Sequence, residues 1–134
     1  MDPIHVEWLL SHHILYVTLS GNITDDLFLG LDATLVKFIE SSSALQVHVF
    51  FDNRKIRSIP TVKVYRQLQF TQHPRLGWGV SFGDNDLTRF FISAFVQMNQ
   101  IYFHMTHTLW DCLDFLKHMD YKLAEEHDLM TLAR

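Results

Sequence analysis

Between Asp52 and Arg66 the chain carries Asp52, Arg54, Lys55, Arg57, Ser58, Thr61, Lys63 and Arg66. Guanidinium and ammonium groups this dense recognise carboxylate or phosphate oxygens, and arginine does so with a two-pronged geometry. Pro60-Thr61 reads as the opening of a helix, where unpaired N–H groups and the helix dipole favour a negative charge. The chemistry expected of this segment is recognition of an anion, such as a nucleotide phosphate or a carboxylate on a partner protein. Thr61 has the simpler role of helix N-cap, which threonine fills well. Binding is expected here, not bond-making.

Other reactive groups do not assemble into a site. Nine histidines invite a metal reading, with His12-His13 in a turn, His48 in a strand, and His104 and His107 at a strand end. Zinc wants three or four convergent ligands, and His-x-x-His at a strand end is not such a set. No metal or cofactor is expected. Cys112 with His107 or His118 is the only nucleophile and base combination worth naming. A cysteine on the apolar stripe of a helix is ordinarily inert. The chain has no Gly-x-Ser-x-Gly elbow and no phosphate-binding loop, and Gly77-x-Gly79 lies within a strand rather than after one. The expectation is a protein that is not an enzyme.

Composition narrows the class. The 134 residues are 48% hydrophobic and include eleven Phe and three Trp, enough for one domain with a real core. So many aromatics lead to the expectation of a homodimer, since an obligate interface resembles a core cut in half. No apolar run reaches the roughly 18 residues of a membrane span, and the N-terminus lacks signal-peptide character. The single cysteine fits a reducing cytoplasm. A net charge of −4 argues against nucleic acid. The charge is uneven: from Asn53 to Gly83 there are Arg54, Lys55, Arg57, Lys63, Arg66 and Arg75 but no acid, whereas acids dominate from Asp111 onward.

The elements that must position these residues follow from periodicity. Ile4, Val6, Trp8 and Leu10 alternate as a strand over 4–10, and Ile14 to Ser20 forms a second, joined by so short a turn that the pair is antiparallel. Thr24 caps a helix whose apolar face is Leu27, Leu31, Leu35, Phe38 and Ile39. Leu45 to Phe51 reads as a strand covered on both faces. A helix is expected from Pro60 or Thr61 to Phe70, then a strand over 76–82 with Gly77 and Gly79 on a nearly bare face suited to close helix packing. Gly83-Asp84-Asn85-Asp86 turns into a helix bearing Leu87, Phe90, Phe91, Ala94, Phe95 and Met98. A strand over 101–105 and a Thr108-capped helix complete a domain of residues 1–120. Residues 121–134 are expected as a helical extension or loose tail. The fold class is α/β, ordered β-β-α-β-α-β-α-β-α, with an antiparallel edge strand at 4–10 and the strands at 14–20, 45–51, 76–82 and 101–105 as the parallel centre.

That order, the strand-Asp-loop-helix segment at Val47–Tyr65, and LGWGVSFGDNDLTRFFISAFVQ followed by IYFHMTHTLWDCLDFLKHMD resemble the STAS domains. These are the sulphate-transporter and anti-sigma-antagonist domains, here in the form of their sporulation-antagonist-like bacterial relatives. The resemblance covers about residues 4 to 120. It implies a non-catalytic regulatory module that binds a protein partner. It also implies an alternative, a phosphorylatable switch. Asp52 matches the strand-end Asp of phosphorylated members, and Thr61 or Ser58 stands nearest their phosphoacceptor, although the flanking Asp and Gly of that motif are absent. A carrier of a small apolar or nucleotide ligand beside Gly77 and Gly79 is a further alternative.

Overall fold

The amino-terminal hairpin forms as expected. β1 (Ile4–Leu10) runs antiparallel to β2 (Ile14–Asn22), with Val6 opposite Val17. At the turn His12 adopts a left-handed φ of 68°, unfavourable for a residue with a Cβ. Two contacts hold it there: the Ser42 hydroxyl donates to the His12 carbonyl at 2.6 Å, and the Ser43 amide donates to His12 Nδ1 at 3.1 Å. Both come from the end of α1 (Asp25–Ser41), whose N-cap Thr24 accepts the Leu27 amide. α1 has no basic residue in its last turn. Arg75 supplies that charge from outside, donating to the carbonyls of Ile39 and Ser42 at 2.8 and 2.7 Å.

The computed structural model describes residues 2–83, 85–99 and 101–133; Asp84 of the expected turn and the side chain of Met98 lie outside the described residues. β3 (Val47–Ser58), β4 (Leu76–Phe82) and β5 (Phe103–Thr106) complete a five-stranded sheet in the order β1-β2-β3-β4-β5, parallel from β2 onward. When strand order follows chain order, right-handed crossovers all fall on one face. Accordingly α1, α2 (Val62–Tyr65) and α3 (Asp86–Asn99) contribute Leu31, Leu35, Val64, Phe91 and Phe95 to a single core with Val49 and Phe51. α4 (Leu109–Met119) and α5 (Tyr121–Glu126) cover the other face, where Cys112, Leu113, Leu116, Leu123 and Leu129 pack on Ile14, Phe50, Val80 and Phe82. Beyond residue 120 the chain thus packs on the sheet through Leu123 of α5 and Leu129 of a 3₁₀ turn at Leu129–Leu132. Seven of the eleven phenylalanines are buried within the single chain, and the aromatic content therefore does not by itself call for a second subunit.

Four expectations are corrected. The strand expected to start at Leu45 starts at Val47, and Leu45 is 86% exposed. That strand also continues past Asp52 to Ser58, because β2 does not stop at Ser20: Gly21 lies opposite Ile56 and Asn22 opposite Ser58. Gly21 does so with a φ of 76°, open to glycine and costly for other residues. The helix expected over residues 60–70 is a single turn, since the amides of Gln69 and Phe70 donate instead to the buried Asp32 carboxylate at 2.9 and 2.8 Å. Finally, β5 is an edge strand, not part of the sheet's centre, and its His104 and Met105 are exposed.

Gly77 and Gly79 do not share the one bare face expected of them. β4 carries an extra residue between Leu76 and Gly79, so Gly77 meets the His48 ring on the α4 side and Gly79 meets the Phe103 ring in the α1–α3 core. A Cβ at Gly77 would clash with His48 Nδ1, and one at Gly79 would lie 2.7 Å from Phe103 Cδ2. We expect Gly77→Ala to lower stability by about 1–3 kcal/mol through overpacking against a ring that cannot retreat. Gly30→Ala, within α1 and with nothing near the added methyl, should raise it by about 0.5–1 kcal/mol. Urea midpoints of the two variants test this, and equal shifts would refute the close fit at Gly77.

Candidate functional site

Side chains alternate along β3, so Asn53 joins the α1–α3 face while Asp52 joins Phe50 on the α4 face. The buried Asp52 carboxylate holds Arg54 by both oxygens: Nε donates to Oδ1 at 3.0 Å and Nη2 to Oδ2 at 2.8 Å. The Tyr16 hydroxyl donates to Oδ2 at 2.7 Å and the Arg54 amide to Oδ1 at 3.2 Å. Burial is the largest influence on Asp52 and favours the neutral acid. The hydrogen bonds from Arg54 and Tyr16 outweigh it, and the carboxyl stays below its usual range. The bond to Asp52 raises the Arg54 guanidinium above its ordinary value. Burial, and then that same carboxylate, raises the Tyr16 phenol, keeping it a donor. The guanidinium lies 5.3 Å from the centre of the Phe82 ring, a cation–π contact.

A bulge follows directly. Thr18 pairs with Asp52 but Ser20 with Lys55, giving β3 one extra residue. The inserted residue shifts the alternation of faces, returning Ile56 to the first core and leaving Lys55 and Arg57 exposed. β4 pairs with β3 only as far as Asp52 opposite Phe82. From Asn53 to Ser58, β3 runs on beside β2 alone.

The two expected phosphoacceptors lie further along, toward α1. Thr61 is the N-cap of α2, but its hydroxyl caps nothing there. Asp25 takes both of its donors, Oδ2 accepting the hydroxyl and Oδ1 the amide, each at 2.7 Å. These bonds, the hydroxyl first, hold the Asp25 carboxyl below its ordinary value, and Lys63 adds to the effect. The Ser58 hydroxyl donates to Asn22 Oδ1 at 3.2 Å. Lys63 and Arg66 are exposed. The eight expected residues therefore divide. Asp52 and Arg54 form one cluster on the α4 face, Ser58, Thr61 and Lys63 belong to the α1 side with Arg66 exposed at the end of α2, and Lys55 and Arg57 lie exposed between them along the chain.

Sequence reasoning missed Tyr16, Asp25 and Asp32 as partners. It also missed a second buried polar pair, although His48 stood out in its apolar strand. His48 is 1% exposed; its Nδ1 accepts the Trp78 amide at 2.9 Å, and its Nε2 lies 2.9 Å from Asp120 Oδ2. An accepting Nδ1 assigns the proton to Nε2, which donates to the carboxylate. Asp120 also caps α5 through the Leu123 amide. Burial is the main reason the imidazole is held below its ordinary value, against the pull of Asp120. Burial likewise pushes the Cys112 thiol up to about 12, and at neutral pH it is not a thiolate.

On the same face as Asp52, a half-enclosed cleft of about 730 Å³ is lined by Tyr16, Arg54, Phe82 and Trp110 among others. It lies beside the first turn of α4. The rim that carries β3 beyond Asp52 is formed by the carboxyl ends of the parallel strands, where ligands of open α/β sheets gather.

Against this geometry, one solved structure decides the fold. An uncharacterized DUF3478-family protein from Shewanella loihica, described as having a SpoIIAA-like fold, superposes with a TM-score of 0.61 over 84% of this chain and 91% of that one. The fold is SpoIIAA-like. Identity between the two is 13%, and the likeness is one of fold. No protein-family model matches the chain, nor does any curated protein. The STAS-like architecture expected from the order of elements is therefore present, with the antiparallel hairpin at one edge.

Two measurements follow. His48 has a folded pKa below the unfolded value of about 6.5, so the unfolded chain binds more protons between the two values. Stability is full above that range and falls as pH drops through it. His13 and His104 are shifted the same way. The melting temperature should decline from pH 7.5 to 5, less steeply in His48→Gln; a flat wild-type profile would refute this. Tyr16→Phe should cost about 1–2 kcal/mol by removing one donor to a buried carboxylate. It should also raise the Asp52 pKa, read by carboxyl NMR titration, and an unmoved value would show that the phenol contributes nothing.

Proposed function

We propose that the protein is a non-catalytic regulatory module of STAS type that binds a protein partner at the carboxyl rim of its sheet. The observation that carries this reading is β3 outrunning β4, with Lys55 and Arg57 exposed on the unaccompanied stretch and Lys63 just beyond. Among the described residues none of these three forms an ion pair within 4.0 Å. An exposed strand edge with unspent positive charge is complementary to an acidic surface, and lysine on such an edge also guards it against indiscriminate pairing. The partner's surface is accordingly acidic, and association depends on salt.

The phosphorylated alternative is weaker at Thr61. A phosphoryl group there would replace the hydroxyl bond to Asp25 and face its carboxylate, which is repulsive. Asp25 already supplies the negative charge that the Thr61 amide attracts. A homodimer and a cytoplasmic location belong to the same proposal. No helix among the described residues is long and apolar enough to cross a membrane.

The test is quantitative affinity purification with Lys55→Glu, Arg57→Glu and Lys63→Glu combined. The control is charge reversal at Lys117 and Lys122, exposed on α4 and α5. Partner recovery should fall about tenfold or more in the first and stay unchanged in the second, as removal of complementary charge slows association. Equal recovery by both would remove this rim as the docking surface. Intact-mass spectrometry of the purified protein before and after phosphatase treatment tests the alternative: a phosphoryl group lost from Thr61 or Ser58 would favour the switch.

A further inference from the structure

We propose that the cleft between Arg54, Tyr16, Phe82 and Trp110 is a binding site for a small, largely apolar carboxylic acid. The site is distinct from the docking rim, because Lys55, Arg57 and Lys63 do not line it. Its volume of about 730 Å³ falls in the range of small-molecule sites, which are mostly apolar with a few fixed polar groups.

The fixed polar group is Arg54. Asp52 takes its Nε and Nη2, and the Phe82 ring lies 5.3 Å from its carbon centre. A guanidinium held at two nitrogens and by a ring has little freedom left to lose when a ligand arrives. Its Nη1 has no acceptor among the described residues, and the side chain remains 61% exposed. One donor edge is therefore pre-positioned at the cleft wall. A carboxylate accepts from such an edge with the right planar geometry.

The rest of the lining selects the body of the ligand. Leu9, Leu109 and Trp110 present apolar surface, and Trp110 is 55% exposed on the first turn of α4. An indole left in water at the mouth of a cleft is unused contact area. Charge limits the head group. Asp52 already balances Arg54, and Glu7 borders the same space. A dianion such as a phosphate monoester meets two carboxylates for one guanidinium and the His107 imidazole on the lining, whereas a monoanion with an apolar tail meets one donor edge and three apolar walls.

The probe is 3-phenylpropionate, with uncharged 3-phenylpropanol as its counterpart, titrated into ¹⁵N-labelled protein. The acid should shift the Arg54 amide and the Trp110 indole N–H, and bind at least about tenfold more tightly than the alcohol. Arg54→Gln should abolish that preference, while Trp110→Ala should weaken both probes by a similar factor. If Arg54→Gln does not fold, the acid-to-alcohol ratio in the wild type and in Trp110→Ala decides the matter alone. Equal binding of the two probes, no shift at Arg54 and Trp110 with the acid at millimolar concentration, or shifts confined to Lys55, Arg57 and Lys63 would each overturn the proposal.

Discussion

Three polar side chains are buried in the otherwise apolar first half of β3, and pairing them organises the molecule. Every residue from Val47 to Asn53 is buried, and His48, Asp52 and Asn53 lie among them. A polar group left unpaired in such a place costs on the order of 1–3 kcal/mol, more if charged. Each therefore has a partner: Asp120 for His48, Tyr16 and Arg54 for Asp52, and Ser81 for the Asn53 amide nitrogen at 2.6 Å, with Asn53 Oδ1 left unpaired among the described residues. The partners sit on β2, β3 itself, β4 and the junction of α4 with α5. Register across the sheet and the seating of the last helices are thus tied to one strand. A one-residue slip would send all three groups to the wrong face.

This explains which parts of the molecule were legible in the sequence. Elements governed by their own periodicity were readable. The alternation of Ile4 to Leu10, the 3.6-residue spacing of Leu31, Leu35 and Ile39, and the caps at Thr24 and Thr108 all act locally. Elements ended by distant contacts were not. Nothing near Gln69 announces that Asp32, from α1, will take its amide and halt the helix. Nothing in Arg54-Lys55-Ile56-Arg57 looks like a strand until β2 is known to reach Asn22 beside it. The candidate residues stand out in the sequence because charge density is visible there. Their division between two faces does not, since it depends on a bulge and on an Asp25 that reads locally as an ordinary first-turn acid.

Rigidity and accessibility are distributed unevenly around the rim. Asp52, Arg54 and Tyr16 form a network held by hydrogen bonds and a ring contact, and such networks resist rearrangement. Thr61 and Asp25 tie the start of α2 to the start of α1 at the surface. Between them, Lys55 lies opposite Ser20 in the ladder, and among the described residues no ion pair holds Lys55 or Arg57. The same strand therefore carries a fixed donor on one face and adaptable charge on its edge.

The strand order has a consequence for how the chain acquires its shape. Because β1 to β5 lie side by side in the order of synthesis, each new strand can add to the margin left by the one before, and none must thread between two already in place. The first core, under α1, α2 and α3, can close during this accretion. The second cannot, since its whole cover of α4, α5 and the turn at Leu129–Leu132 emerges after all five strands. Until then Ile14, Phe50, Val80 and Phe82 form an oily sheet surface facing water, and His48 waits for Asp120, seventy-two residues downstream. A nascent chain stalled before α4 is a half-clad sheet, the species of this protein most in need of a chaperone.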